Sequence, residues 1–518
     1  MATPTATVGM APASSDTSFF GHPRGLSTLF FSEMWERFSY YGMRGFLLLY
    51  MVASVEDGGL GLSVAVGTAI YGTYTSAVYL LSLPGGWLAD RLIGPRRAVL
   101  YGGILIASGH FSLAFPSTAT FYLGLLLVVL GTGLLKPNIS VIVGHLYAQK
   151  DLRRDAGFSI FYMGINLGAF IGPLITGYLV QNAGFRGWLT GMGMDPNSAW
   201  HWGFGAAGIG MTLGLIQYVA SGRLLGQAGM DPSPAKSPQA FAQLKRMATM
   251  WFGVFVVALV GLGLALSAGS ITVTPEQVTN GYLYVLIAVV VGFFWWLFKG
   301  PGNDWTREER GRLWVITVMF VAAALFWSVF EQAGSTLNLF AVDKTNNTLF
   351  GLAFPSVWFQ SLNALFIVAF APVFAWLWVK MGDRQPASPV KFSFGLIGVG
   401  LGFLVLVPAA NLAAGGGLVS PLWLCATYLV HTWAELCLSP IGLSSMTKLA
   451  PSRIVSLMMG VWFLGASVGN YMGGEMAGLY ASMPLQNLFG VVGLFGIIAG
   501  VIMLVFSGKL TKMMHGVK

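Results

Sequence analysis

Charge is scarce in this chain. Only 9% of its 518 residues are charged, whereas 55% are hydrophobic and the mean hydropathy is +0.71. Soluble proteins carry about 25% charged residues, so this composition excludes an ordinary soluble protein. It predicts instead a chain that crosses a membrane many times.

Cysteine is almost absent as well. The two cysteines, Cys425 and Cys437, fall in one apolar segment, which excludes a disulfide framework. No cysteine–histidine spacing suggests a metal site, and we expect neither a metal nor a cofactor. The net charge of +9 does not indicate a nucleic-acid partner, because the basic residues gather beside the apolar segments, where the lipid bilayer is their expected surrounding.

Fourteen apolar segments are long enough to cross a bilayer. They divide into a set of six, a pair, and a second set of six. Their approximate positions are 27–53, 64–89, 98–115, 119–147, 157–181, 200–222, 247–268, 279–299, 311–336, 353–379, 391–410, 419–447, 454–480 and 486–508.

The basic residues outside these segments predict the orientation of the chain. With both termini in the cytoplasm, nearly all of them fall on the cytoplasmic side, and Arg186 and Lys344 are the exceptions. This asymmetry is typical of an even number of spans with both ends inside. The predicted division is a disordered cytoplasmic tail at 1–24, a six-helix bundle at 25–222, a linker with an extra transmembrane hairpin at 223–310, a second six-helix bundle at 311–510 and a cytoplasmic tail at 511–518.

The first span contains an unusual group of charged side chains. Glu33, Glu36, Arg37 and Arg44 lie in a segment that should be apolar, and Glu33, Arg37, Tyr40 and Arg44 fall within about 60° of one another on a helix. A charge inside a bilayer costs several kcal/mol or more. We therefore predict that this stripe faces a cavity and has a function. The alternative is a buried structural ion pair.

Isolated polar residues occur in other spans. Lys136 lies in mid-span before a proline, where its side chain cannot easily reach the membrane surface. Tyr162 and Asn166 are four residues apart, hence on one helix face, and an ordinary interhelical hydrogen bond is the alternative to a functional role there. Glu331 and Glu435 are acids that lie within apolar spans of the second set.

Several motifs together resemble one family. The loop from Gly86 to Arg97 resembles the signature of the major facilitator superfamily. The sequence is similar to that of the proton-dependent oligopeptide transporter family, bacterial type, at Glu33-x-x-Glu36-Arg37-Phe38-x-Tyr40-Tyr41, Phe161-Tyr162-x-x-Ile165-Asn166-x-Gly168, Phe326-Trp327-x-x-x-Glu331-Gln332, Gln360-Ser361-x-Asn363 and Glu435-x-x-x-Ser439-Pro440-x-Gly442.

The resemblance implies a fold and an activity. The fold would be an all-α major facilitator fold with two six-helix bundles and a two-helix insertion, giving 14 transmembrane helices. The activity would be proton-coupled import of di- and tripeptides by alternating access, in a bacterial inner membrane. In the loop signature, Asp90, Arg91, Arg96 and Arg97 would serve conformational gating, with a simple basic anchor as the alternative.

The placement of charge agrees with such a substrate. The basic residues of the first set of spans are Arg37, Arg44 and Lys136, whereas the second set contains buried acids. A cavity between the two sets would be positive on one wall and negative on the other, which complements a short zwitterionic peptide. Its carboxylate would bind the arginine and lysine, and its amine would bind an acid.

The predicted site has two groups of residues. Tyr79 rests chiefly on the resemblance, with Tyr71 and Tyr74 as alternatives on the same helix, and Trp327 and Trp433 are taken because each lies near a buried acid in the sequence. The substrate-binding residues are predicted as Arg37, Tyr41, Tyr79, Lys136, Tyr162, Asn166, Trp327, Asn363, Trp433, Glu435 and Ser439. The proton-coupling residues are predicted as Glu33, Glu36, Arg37, Lys136 and Glu331.

The expected mechanism couples protonation to binding. Protonation of Glu33 or Glu36, and of Glu331, would release their pairing with Arg37 or Lys136, while Glu435 with Asn166 and Asn363 would hold the peptide amine. A transporter of the same fold for another solute, such as nitrate or a conjugated metabolite, is the alternative. An enzyme is not expected, since no nucleophile–base pair or catalytic domain is visible. We expect a monomer.

Overall fold

The computed structural model describes residues 16–148, 151–233, 237–301 and 303–517, and most of them are helical. Helices satisfy every backbone polar group within one segment, which a membrane interior requires. The helices before the hairpin are α1 Gly25–Val52, α2 Val64–Leu80, α3 Ser82–Leu88, α4 Pro95–Leu113, α5 Thr118–His145, α6 Arg154–Gln181, the short α7 Ala183–Gly191, and α8 Ala199–Ala220. A π-helical turn, Ala89–Ile93, continues α3.

Two long helices form the hairpin between the bundles, α9 Pro238–Ser267 and α10 Pro275–Lys299. Both begin with proline at the first position after a hydroxyl cap. At the start of α10, the Gln277 N–H donates to Thr274 Oγ1 at 3.3 Å and the Thr274 N–H donates to Gln277 Oε1 at 3.0 Å. This reciprocal pair is the capping box that starts a helix.

The second bundle is also built from long helices. Its helices are α11 Arg307–Phe330, continued by the 3-10 turn Glu331–Gly334 and by α12 Thr336–Asp343, and then α13 Gln360–Met381, α14 Ser388–Ala414, α15 Leu422–Leu449, α16 Val455–Gly478 and α17 Leu485–Met513. Two short antiparallel strands, β1 Thr348–Leu349 and β2 Leu352–Ala353, form a small hairpin between α12 and α13.

These elements agree with the prediction of an all-α membrane protein. Among the described residues, ten helical segments are long and apolar enough to cross a membrane. The segment α1 is not one of the ten, and it carries Glu33, Glu36, Arg37 and Arg44. The helices coincide with the fourteen predicted spans, and the count of fourteen is consistent with the structure.

The chain termini differ from the prediction where they are described. Residues 1–15 of the predicted disordered tail lie outside the described residues. Residues 16–24 are folded, because the Arg24 N–H donates to Asp16 Oδ2 at 3.0 Å and His22 Nδ1 lies 2.9 Å from the Tyr147 hydroxyl. At the other terminus, α17 continues to Met513, beyond the predicted end of the bundle at residue 510.

The two bundles are joined on the side of the molecule away from the termini. Hydrogen bonds that cross between them run from Asn338 Nδ2 to Gly45 O at 2.7 Å, from Gln181 Nε2 to Ser356 Oγ at 2.9 Å and from Trp358 Nε1 to Leu174 O at 3.0 Å. Nearer to the termini, Tyr162 lies between the bundles but is 41% exposed. Hydrogen bonds therefore join the bundles at the far end, whereas the space between them is more open at Tyr162, nearer to the termini.

Candidate functional site

The charged stripe of α1 forms a buried cluster. Arg37 Nε lies 2.9 Å from Glu33 Oε1 and 2.5 Å from Glu36 Oε2, and the three side chains are at most 4% exposed. Helical spacing places Glu33 and Arg37 on one face, because they are four residues apart. Within the described part of the chain, Glu33 Oε2, Glu36 Oε1 and Arg37 Nη2 have no hydrogen-bond partner. The cluster thus offers unused donor and acceptor atoms and two carboxylates for one guanidinium.

Lys136 lies on an aromatic ring. Its Nζ atom is 3.7 Å from the centre of the Tyr79 ring and 5.8 Å from that of Phe463 on α16, which is a cation–π arrangement. Lys136 makes no ion pair with a carboxylate of the described residues. Its ammonium group also interacts electrostatically with Glu33, Glu36 and Arg37 of the α1 cluster, without a salt-bridge contact to a carboxylate of the described residues.

Arg44 connects the two bundles. Its Nη2 atom donates to Glu331 Oε2 in the 3-10 turn after α11, and its Nε donates to the Tyr71 hydroxyl at 2.6 Å. Both partners of the ion pair are less than 10% exposed. The predicted pairing of Glu331 with Arg37 or Lys136 was wrong. Glu331 lies opposite Arg44, two turns beyond Arg37 along α1, because the bundles meet near the far end of that helix.

The three tyrosines of α2 have different positions. Tyr79, which was predicted for the site, contacts Lys136, whereas Tyr71 binds Arg44. The Tyr74 hydroxyl is buried without a hydrogen-bond partner among the described residues. Helix α2 thus contacts both Lys136 and Arg44, through tyrosines that are about two turns apart.

The acidic wall is built around Glu435. Asn363 Nδ2 donates to Glu435 Oε2 at 3.0 Å and approaches Thr432 Oγ1 at 3.1 Å, so α13 orients the carboxylate of α15. Asn166 Nδ2 donates instead to the Tyr162 carbonyl oxygen of its own helix at 2.9 Å. Glu435, Asn166 and Asn363 were predicted to hold the peptide amine together; among the described residues, Asn363 is joined to Glu435 by a hydrogen bond and Asn166 is not.

The tryptophans show where sequence proximity misleads. Trp433 is two residues before Glu435, which directs the two side chains to opposite sides of α15. Its ring packs against Phe370 at 5.5 Å and is 40% exposed. Trp327 instead lies 6.4 Å from Trp462 of α16, a residue that sequence reasoning missed because no acid lies near it in the sequence.

Other predicted residues complete the surroundings. Tyr41 of α1 lies 5.8 Å from the Arg44 guanidinium. Ser439 Oγ and Trp327 Nε1 are buried and have no hydrogen-bond partner within the described ranges. These are polar atoms that a bound molecule could satisfy. Within the same ranges, no group of three or more His, Cys, Asp or Glu side chains could hold a metal ion.

The predicted gating loop is tied to the segment that follows α8. Arg96 donates through Nη1 to Gly226 O at 2.7 Å and through Nη2 to Gly222 O at 2.5 Å, and the Ser233 N–H donates to Asp90 O at 2.7 Å. Arg91 and Arg97 are exposed. Among the four predicted loop residues, Arg96 is therefore structural and Asp90 anchors Ser233 through its backbone carbonyl. Arg91 and Arg97 are exposed basic side chains that can face lipid headgroups.

Comparisons with known proteins identify the family. The sequence model described as POT family matches residues 96–494. The chain belongs to the POT family. Family membership confirms the prediction of a transporter rather than an enzyme.

Named relatives of this POT protein cover almost its whole length. The peptide transporter YePEPT of Yersinia enterocolitica is 44% identical over 483 residues, covering 91% of this chain and 90% of the relative. A di-/tripeptide transporter of Lactococcus lactis is 38% identical over 514 residues, covering 97% and 99%. Among solved structures, a POT family transporter in complex with a thioalcohol conjugated peptide has a TM-score of 0.86 and 37% identity, covering 96% of this chain and 98% of that one.

The same comparisons confirm the predicted fold class. This POT protein is an all-α membrane protein with the major facilitator architecture of two six-helix bundles and a two-helix insertion. It is a multi-pass membrane protein.

Proposed function

We propose that this POT protein is a proton-coupled symporter that imports di- and tripeptides by alternating access. The observation that carries the proposal is the separation of charge across the cavity. Lys136 provides a cation on the first bundle without a carboxylate in contact among the described residues. Arg37 adds a guanidinium that is paired with Glu33 and Glu36, and Glu435 provides an anion on the second bundle. A short peptide is a zwitterion whose two charged ends match these walls.

Each end of the peptide has an assigned partner. We assign the peptide carboxylate to Lys136 and Arg37, because Lys136 has no carboxylate in contact and Arg37 Nη2 has no partner among the described residues. We assign the amine to Glu435, which Asn363 already orients. Tyr162, Trp327 and Ser439 would contact the peptide between its charged ends.

Proton coupling is assigned to two groups of acids. The α1 cluster has two carboxylates for one guanidinium, so it can accept a proton while Arg37 remains paired. Glu331 holds Arg44 across the bundles. Protonation of Glu331 would remove its negative charge and weaken this link, which would allow the far end of the cavity to open.

The proposal also covers the membrane in which the protein lies and its orientation there. We place the protein in a bacterial inner membrane with both termini in the cytoplasm, as a monomer. The support is the basic residues on the side of the termini. In this orientation, the hydrogen-bonded far end faces away from the cytoplasm, and the more open end at Tyr162 faces the cytoplasm.

The proposal is tested by uptake of labelled dialanine into liposomes that contain the purified protein. An inward proton gradient should cause accumulation, and an uncoupler should abolish it. Protein-free liposomes control for leakage, and unlabelled N-acetylated dialanine should compete poorly because it has no charged amine. If folded protein takes up no dialanine in either condition, the peptide assignment is wrong, and nitrate and conjugated metabolites are the next solutes to measure.

A further inference from the structure

The extra hairpin touches the seam between the two bundles. Of its two helices, α9 has no buried side chain among its described residues, whereas part of α10 is buried. The buried residues of α10 include Thr279 and Leu286. Since α10 packs against both α2 and α16, it lies where one bundle meets the other.

Three hydroxyl groups meet at this seam. The Tyr282 hydroxyl of α10 lies 2.7 Å from Ser76 Oγ on α2 and 3.3 Å from Ser467 Oγ on α16, and the two serine oxygens are 2.9 Å apart. Both serines are fully buried. Each of the three residues comes from a different part of the chain, one from each bundle and one from the hairpin.

The direction of the hydrogen bonds follows from the number of protons. Ser76 Oγ donates to the Ser467 carbonyl oxygen at 2.7 Å, and Ser467 Oγ donates to the Ser76 carbonyl oxygen at 2.9 Å. Each serine hydroxyl has one proton, so both are used in this reciprocal pair. The Tyr282 hydroxyl is then the donor, with its single proton directed mainly to Ser76 Oγ at 2.7 Å, while Ser467 Oγ is the more distant contact at 3.3 Å.

The hairpin is also anchored at both of its ends. Before α9, the segment after α8 is bound to the gating loop by Arg96 and Ser233. After α10, Trp305 Nε1 donates to Leu297 O at 2.7 Å, and the Arg453 guanidinium lies 3.8 Å from the centre of the Trp305 ring. The hairpin is thus attached to the first bundle at one end and to the loop between α15 and α16 at the other.

We infer that α10 is a brace that holds the two bundles in the conformation closed at the far end, with Tyr282 as its positioning residue. Beyond the three hydroxyls, α2 and α16 are in close contact, since a Cβ added at Gly72 would lie 2.7 Å from Gly474 Cα. The seam is also in contact on the side of the termini, where a Cβ added at Gly460 would collide with Leu83 Cδ2 of α3. In the proposal, opening of the far end separates α2 from α16 at Gly72 and Gly474. The Tyr282 hydroxyl then loses at least one serine, so its hydrogen bonds favour the closed far end.

The test measures the two conformations directly. In a Cys425→Ser, Cys437→Ser background, spin labels at Glu56→Cys and Leu352→Cys report distances across the far end. Labels at Leu152→Cys and Arg384→Cys report distances across the end that carries the termini. All four positions are exposed. Tyr282→Phe keeps the ring and removes the donor.

We expect Tyr282→Phe to shift the ratio of the two conformations by about 3- to 15-fold away from the closed far end, which is the range for a hydrogen bond between membrane helices. The far-end pair should gain longer distances while the other pair gains shorter ones. Tyr284→Phe is the matched control, because Tyr284 is on the same helix and is 72% exposed. It should leave both distributions unchanged.

A second set of variants distinguishes the hydrogen bonds of the Tyr282 hydroxyl from the packing of its ring. In a Ser76→Ala, Ser467→Ala background, Tyr282→Phe should add no further shift, because its acceptors are gone. The inference is overturned if Tyr282→Phe lowers the unfolding temperature but leaves both distance distributions unchanged, or if Tyr284→Phe shifts them equally. These distances are measured without substrate, so failure of the brace and failure of the peptide assignment give different results.

Discussion

Replacement of Glu331 by glutamine tests the link between the two bundles. Glu331→Gln keeps the size of the side chain and removes the negative charge that contacts Arg44. Arg44 retains its hydrogen bond to Tyr71, so one of its two polar contacts survives. The expected effect is the loss of one buried charge-assisted contact.

The magnitude follows from the burial of the pair. The side chains of Arg44 and Glu331 are 6% and 8% exposed, and a hydrogen bond to a charged group contributes about 1.5–3 kcal/mol. The equilibrium between closed and open far ends should therefore shift by a factor of roughly 10 to 150. Because the amide of the variant cannot exchange a proton as the carboxylate does, the gradient would lose its effect on this equilibrium.

The assay compares two modes of transport in liposomes. Proton-driven accumulation of dialanine by Glu331→Gln should fall to the level seen with an uncoupler, whereas exchange of labelled for unlabelled peptide at equal pH should continue. Glu308→Gln is the matched control on the same helix, because Glu308 is 65% exposed and 4.0 Å from Arg312. A surface pair of this kind contributes about 0–1 kcal/mol, and transport should be unchanged.

Two results would refute the reasoning. Driven accumulation at the normal rate would show that Glu331 is not the coupling group. Loss of both driven uptake and exchange, in protein that binds peptide and unfolds at the normal temperature, would show that the carboxylate is needed for the conformational change itself rather than for its coupling to protons.

Two further predictions concern binding and packing. Glu435→Gln should weaken the binding of dialanine about 10- to 100-fold, because a charge-assisted contact with the amine is lost. The variant should bind N-acetylated dialanine nearly as the parent protein does. Equal losses of affinity for both ligands in a calorimetric titration would contradict the amine assignment. Gly85→Ala should lower stability by about 1–3 kcal/mol, because its Cβ would collide with Gly133 O, whereas Gly86→Ala adds only an ordinary contact at 3.5 Å. The test compares the unfolding temperatures of the two purified variants. If both unfold at the same temperature, α3 can move away from α5 to accommodate the added methyl group.

The sequence by itself determined the features that are local or that follow from the membrane. Spans are readable because every apolar run must be long enough for the bilayer, and charged residues inside them stand out because burial of charge is costly. Helical spacing was sufficient to place Glu33 beside Arg37, since partners four residues apart meet within one helix. The family motifs were readable for the same reason, because each is a short stretch of contiguous residues.

Only the tertiary structure decided which residues meet across the bundles. Arg44 and Glu331 are 287 residues apart in the chain, and no local pattern distinguished Arg44 from Arg37 or Lys136 as the partner. Trp462 lies near Trp327 through the packing of α16 on α11, whereas Trp433 points away from its neighbour Glu435. The position of the hairpin was likewise hidden, because the interiors of its membrane-crossing segments carry no charged side chain that would indicate what they contact. Such partners depend on how whole helices pack, and that packing brings together residues that the sequence keeps far apart.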